Sequence, residues 1–208
     1  INLNENNSRI CRYPVAAAQV IKQARHLAVL VFLVVWTGPV VAGPIPAPAV
    51  KHRVIITDDY GADVDDQETL VHAMVYANDL DIEGIIASTS CWKTTQNTTA
   101  LIDAIVNAYG QVVTNLSAHA SGYPTLAYLQ SVTKVGQSTF GMAGVGTGKD
   151  SPGSALIIAA VDKADPRPVW VTCQGGASTM AQALWTVQNT RTPDQVAQFV
   201  SKLRVYDI

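Results

Sequence analysis

From Val54 onward the sequence alternates short apolar runs with segments of helical period, and this alternation restricts the fold more than any other feature. Val54-Ile55-Ile56-Thr57 lacks the polar alternation of a half-exposed strand, so it reads as buried on both faces. Leu70, Val71, Met74, Val75 and Leu80 then recur at helical spacing, and residues 82–88 form a second strand. A helix follows over residues 98–109, with Leu101, Ile102, Ile105 and Val106 on one face. Residues 110–148 are rich in Gly, Ser, Thr and Tyr and carry no firm pattern beyond a helix around residues 125–132. Ser151-Pro152 places a cap before a proline, opening a helix through Ala164. A strand over residues 168–172 and a helix over residues 177–187 come next. Thr192-Pro193-Asp194-Gln195 is a capping box with proline, opening a helix to Lys202, and Leu203-Arg204-Val205-Tyr206 begins another strand. The expected fold is α/β, an open and mostly parallel sheet with helices on both faces. An apolar strand normally leads into a further helix, so the domain is expected to be truncated at its C-terminus.

Charge is sparse. The 208 residues are 48% hydrophobic and 14% charged, with a net charge of -2. No basic patch is present to attract nucleic acid or an anionic membrane. Cys11, Cys91 and Cys173 have no zinc spacing, and Cys91 and Cys173 are expected as buried thiols near strand ends. Residues 27–36 form an apolar run preceded by Lys22, Arg25 and His26, too short for a stable membrane span but suited to a signal-peptide core. Val40-Val41-Ala42 offers small residues for cleavage, so residues 1–42 read as signal-peptide-like and the protein as secreted. Residues 43–50 read as a proline-rich linker into a domain over residues 51–208.

The first core strand runs directly into Asp58, Asp59, Asp63, Asp65 and Asp66. Ligands of parallel sheets sit beyond the carboxyl ends of the strands, where this turn lies together with residues 89–93 and 173–178. Five carboxylates so close repel one another, and no Lys or Arg lies inside the segment. A hard cation with oxygen ligands answers that repulsion, calcium ahead of magnesium. Standard motifs do not fit. An EF-hand loop from Asp59 would need Gly at Val64 and Glu at Leu70, and residues 144–150 only imitate a phosphate loop, with Asp150 in place of Ser or Thr.

Ile55-Ile56-Thr57-Asp58-Asp59-Tyr60-Gly61, followed by Asp65-Asp66-Gln67-Glu68-Thr69-Leu70, resembles the N-terminal signature of the inosine/uridine-preferring nucleoside hydrolases. The resemblance is stronger to the branch described as the nucleoside-hydrolase-like domain of cellulose-binding proteins. Asn78-Asp79-Leu80-Asp81-Ile82-Glu83-Gly84, Thr89-Ser90-Cys91-Trp92, Gly148-Lys149-Asp150-Ser151 and Gly175-Gly176-Ala177 extend it over residues 51–208. The family implies Ca2+ at the bottom of a ribose pocket, with Asp59 and Asp66 as metal ligands and Asp65 as general base. It implies a further metal ligand in a backbone carbonyl, here that of Gln174. The turn is two residues longer than in the better-known hydrolases, so Asp63 competes for a catalytic or sugar-binding role. The family's sugar-contacting asparagine falls near Cys91, and Trp92 is placed to stack on a sugar or base, with partial core packing as its ordinary alternative. A later metal aspartate and the histidine that protonates the leaving base would lie beyond Ile208. His72 and His119 match nothing and read as surface or loop residues.

These implications give a calcium-dependent glycosidase acting on N-ribosyl or related bonds of a nucleoside or saccharide. The alternatives are a non-catalytic carbohydrate (cellulose)-binding domain on the same fold, and a fragment that does neither.

Overall fold

The computed structural model describes residues 43–208. The signal-peptide-like segment lies outside the described residues. Five parallel strands form one sheet in the order β3-β2-β1-β4-β5: β1 (His52–Asp58), β2 (Leu80–Ala87), β3 (Thr133–Val135), β4 (Val169–Gln174) and β5 (Leu203–Asp207). Helices α1 (Asp65–Val75), α2 (Ala100–His119) and α3 (Leu126–Val132) connect the strands of one half. Helices α4 (Pro152–Asp162), α5 (Ser178–Thr190) and α6 (Pro193–Ser201) connect those of the other.

Side chains alternate across a strand, so the sheet has a core on each face and β2 feeds both. On one face Leu70, Met74, Ile102, Val106 and Leu129 from α1, α2 and α3 pack on Ile82, Ile85 and Ala87 of β2. On the other, Ile157, Val161, Met180, Val187 and Phe199 from α4, α5 and α6 pack on Ile55, Ile86, Val171 and Leu203. The expected helices on both faces are therefore present, and the sheet is wholly parallel.

Caps stand where the sequence puts them. Ser151 and Ser154 form a reciprocal capping box at α4, and Thr192 and Gln195 form one at α6. Two elements depart from expectation. Helix α2 runs ten residues past Tyr109, through Gly110, whose missing side chain lets Leu126 close on the helix. The three-residue edge strand β3 was not foreseen. Residues 43–50 lie beside the end of α2, where Ile45 N–H donates to His119 and Ala47 N–H to Ser121.

The strands start in a charged network. Arg53, fully buried on β1, meets Glu83 through a two-pronged ion pair and donates to the Ala160 carbonyl at the end of α4. A register shift between Val54 and Ile55 leaves Glu83 as the extra residue of a bulge on β2. Lys163 completes the network from the surface, 2.8 Å from Glu83. The phosphate-loop imitation proves to be a structural loop, tied to α5 by Gln182, which bonds Gly146 and Asp150. Among the described residues no helix is long and apolar enough to cross a membrane.

Candidate functional site

Strand β1 ends at Asp58 between β2 and β4, the switch point at which the connections turn to opposite faces of the sheet. The turn that follows is set by short bonds. Ala62 N–H donates to the Asp59 carbonyl, Gly61 takes a φ of +91°, and the Asp63 carboxylate accepts Val64 N–H. Helix α1 then starts at Asp65, so Asp66 sits in its first turn, where the helix dipole favours a carboxylate. Its carboxylate accepts Asp63 N–H.

Folding this turn brings Asp58, Asp59 and Asp66 together, with one carboxylate oxygen from each within 4.8 Å of the others. They are 2%, 4% and 9% exposed, and no lysine or arginine among the described residues forms an ion pair with them. Burial raises the Asp58 carboxyl to about 8, with the Asp66 and Asp59 charges adding to the effect. Burial also raises Asp66, against the lowering effect of the Asp63 N–H bond. Beside them the buried phenol of Tyr60 has no hydrogen-bond partner, and burial and the same carboxylates push its ionisation upward.

A cavity of about 690 Å³ opens above the cluster. Asp63 and Asp65 line it as exposed carboxylates, opposite Cys91, Trp92, Gln174 and Gly175. The residues to which the resemblance gives a catalytic, metal-binding or sugar-binding role thus line one cavity. Asp59 and Asp66 stand in the buried cluster, Asp63 and Asp65 on the open wall. Gln174 pairs with Asp58 across β1 and β4, and its side-chain oxygen is buried without a partner.

One alternative is excluded and one expectation corrected. Trp92 does not pack into the core: it is 87% exposed at the cavity. Cys91 is exposed rather than buried, because Ser90 turns inward and leaves Cys91 outside; of the two described cysteines Cys173 is the buried one, and both of these thiols are free. His72 and His119 are exposed, as expected.

Three contributors had no role assigned from sequence. Asp58 belongs to the cluster, and its position as the last residue of a buried strand was a visible signal. Ser90, fully buried, donates its hydroxyl proton to Asp59. Gly175 takes a φ of +131°, and any side chain there would collide with the Asp59 carboxylate. The donor set suits a hard cation: oxygen-only, triply acidic and without an internal counter-charge. The unpartnered Gln174 oxygen beside Asp58 is a further unused donor of the same kind.

Comparison with known proteins agrees with this reading of the fold. The family described as "Cellulose-binding Sde182, nucleoside hydrolase-like domain" matches residues 53–208. A solved structure of a nucleoside hydrolase-related hypothetical protein from Saccharophagus degradans, associated with carbohydrate metabolism, is similar at 59% identity with a TM-score of 0.75. That likeness covers 76% of this chain and 38% of the other, so the chain spans well under half of the length of this relative. No curated protein matches. With the family match extending over both halves of the sheet and the whole acidic turn, the chain belongs to the nucleoside hydrolase-like domain family of the cellulose-binding Sde182 type.

Proposed function

We propose that this domain is a secreted, calcium-dependent glycosidase that hydrolyses N-ribosyl or related glycosidic bonds. The observation that carries the reading is the convergence of Asp58, Asp59 and Asp66 without a basic partner, at the floor of a cavity large enough for a sugar. Three buried like charges are costly, and proteins keep such groups ionised mainly where a cation neutralises them. Asp58, Asp59 and Asp66 would hold the ion, with Gln174 adjoining. A bound calcium would orient sugar hydroxyls and make a neighbouring water more acidic.

The chain's own residues divide the remaining work. Asp65, exposed on the cavity wall beside the buried cluster, accepts the proton of the attacking water. Asp63 bonds a sugar hydroxyl from the same wall. Cys91 lies beside the sugar, and Trp92 offers its exposed indole as a stacking surface. Cleavage of a ribosyl C–N bond passes through an oxocarbenium-like state, so carboxylates around the sugar favour it electrostatically. Export fits the signal-peptide-like segment at residues 1–42.

The second reading is a carbohydrate-binding domain without turnover, and the 87% exposure of Trp92 favours it. An indole so open suits a chain of sugar rings at least as well as a single nucleoside. Release of base from inosine or uridine by the full-length protein, abolished by chelation and restored by calcium, supports the enzyme. Retention on cellulose with every nucleoside and glycoside left intact excludes it in favour of the binding domain.

A further inference from the structure

The loop after β2 carries Trp92 at the cavity and Ser90 beneath it, and one hydroxyl joins the two. The Ser90 hydroxyl has one proton and two acceptor positions. The proton goes to Asp59, and the acceptor positions take the backbone N–H groups of Trp92 and Lys93, both at 3.0 Å. Ser90 N–H closes the same turn on the Lys93 carbonyl at 2.9 Å. Trp92 itself is 87% exposed, so the turn's hydrogen bonds hold it in place, not packing. On its other side Asp59 abuts Gly175 so closely that no side chain fits between them. The carboxylate is therefore confined between a rigid strand end and the Ser90 hydroxyl, and any shift it makes passes into the Trp92 turn.

We propose that Ser90 is a positioning residue that couples the Asp58–Asp59–Asp66 centre to the Trp92 turn, so that a cation on the carboxylates orients the aromatic surface that meets a saccharide. This rests on the proposed cation-dependent saccharide site. An ionised Asp59 polarises the Ser90 O–H, which strengthens Ser90 as an acceptor for the two N–H groups of the turn. Without a cation, repulsion from Asp58 and Asp66 works against that geometry. With one, the carboxylate is fixed, the hydroxyl is fixed by it, and the turn follows. Saccharide affinity then depends on the cation through Trp92 as well as through direct contact with sugar hydroxyls.

The test uses the full-length protein with calcium alone as the probe, and takes the difference in fluorescence and acrylamide quenching between wild type and Trp92→Phe as the Trp92 signal. Calcium is expected to shift that signal in the wild type. Ser90→Ala, at calcium concentrations that saturate it by calorimetry, should lose the Trp92 response. Ser90→Thr, which keeps the hydroxyl, should restore it. In a second measurement calcium should raise the affinity for cellohexaose more in the wild type than in Ser90→Ala, which keeps the test independent of how well threonine is accommodated; an equal gain in both overturns the coupling. A wild-type protein that binds no calcium overturns the cation centre and the coupling with it. Calcium binding with a motionless Trp92 signal, or a full response in Ser90→Ala, overturns the coupling alone.

Discussion

At the amino-terminal end of the sheet Glu83 is buried between Arg53 and Lys163, while at the carboxyl end Asp58, Asp59 and Asp66 are buried against one another. Burial alone would raise the Glu83 carboxyl, but bonds from Arg53 and Lys163 outweigh it and hold the group below its usual value. At Asp58 no basic side chain opposes burial, the Asp59 N–H bond is too weak to offset it, and the carboxyl rises to about 8. One end is electrostatically complete within the chain. The other is complete only with something added. That contrast separates a charge kept for the fold from a charge kept for a ligand, although the carboxylates are buried alike at the two ends.

The largest expected effect breaks the complete end. Glu83→Gln leaves the fully buried Arg53 guanidinium with only the more distant Asp165 carboxylate, 3.7 Å away, and should cost about 3–5 kcal/mol by urea unfolding. Arg53→Met combined with Glu83→Leu should recover most of that loss, because the penalty comes from the stranded charge. If Glu83→Gln is silent, water reaches Arg53 and the network is no longer a buried one.

Next comes Gly175→Ala. At a φ of +131° alanine is strained, by about 1–3 kcal/mol, and its methyl group would press on Asp59. Calcium affinity by calorimetry should fall at least about tenfold beyond what the folding loss explains. A variant with reduced stability but normal affinity would remove Asp59 from the cation set.

Much of this was legible in the sequence, and the exceptions have physical causes. The alternation of apolar runs and helical period is a local signal, so β1, β2, β4 and β5 and at least part of each of the six helices could be read from it. The extension of α2 through Gly110 could not, because glycine argues against a helix interior, and here Leu126 from another element fills the space beside it. Edge strand β3 is three residues long with Lys134 at its centre, too short to show a period. Arg53 in a buried strand is a tertiary fact, since its partner lies on β2, thirty residues on. In the site, carboxylate density pointed to a cation, yet which three aspartates meet depends on how the turn folds back. Ser90 and Gly175 act through contacts with Asp59 from different strand ends, and neighbours in sequence give no hint of that.

Replacing Asp58 by Asn tests the sign of the contrast. In chelator at pH 8 it should stabilise the protein, on the order of 1 kcal/mol once screening is allowed for, while abolishing tight calcium binding. The pH dependence follows from the direction of the shift. A folded-state value of about 8 against an ordinary 3.8 means that the folded form binds more protons across that interval, so calcium-free stability falls as pH rises from about 4 to 8. Glu83 works in the opposite sense: its contribution is present above its ordinary value of 4.5 and is lost as pH falls through its depressed folded value. Saturating calcium should flatten the first trend and leave the second untouched. A calcium-free protein that gains stability from pH 5 to pH 8 would mean that the carboxylate cluster carries no net repulsion.

The smallest effect lies within the complete end and asks how much of its compensation is buried. Lys163 and Arg53 both bond Glu83, but the lysine side chain is 55% exposed and the arginine side chain not at all. An exposed partner gains little, because water screens the attraction and the flexible side chain loses freedom on pairing. Lys163→Met should therefore cost less than about 1 kcal/mol, and less again at high salt. Arg53 would still meet both oxygens of Glu83, so that carboxyl should stay depressed, while its acid limb moves toward the ordinary value because Lys163 shares in the lowering. If Lys163→Met instead matches Glu83→Gln in cost, the network depends on its surface member. The amino-terminal end would then rely, like the other, on a cation brought in from the side facing water.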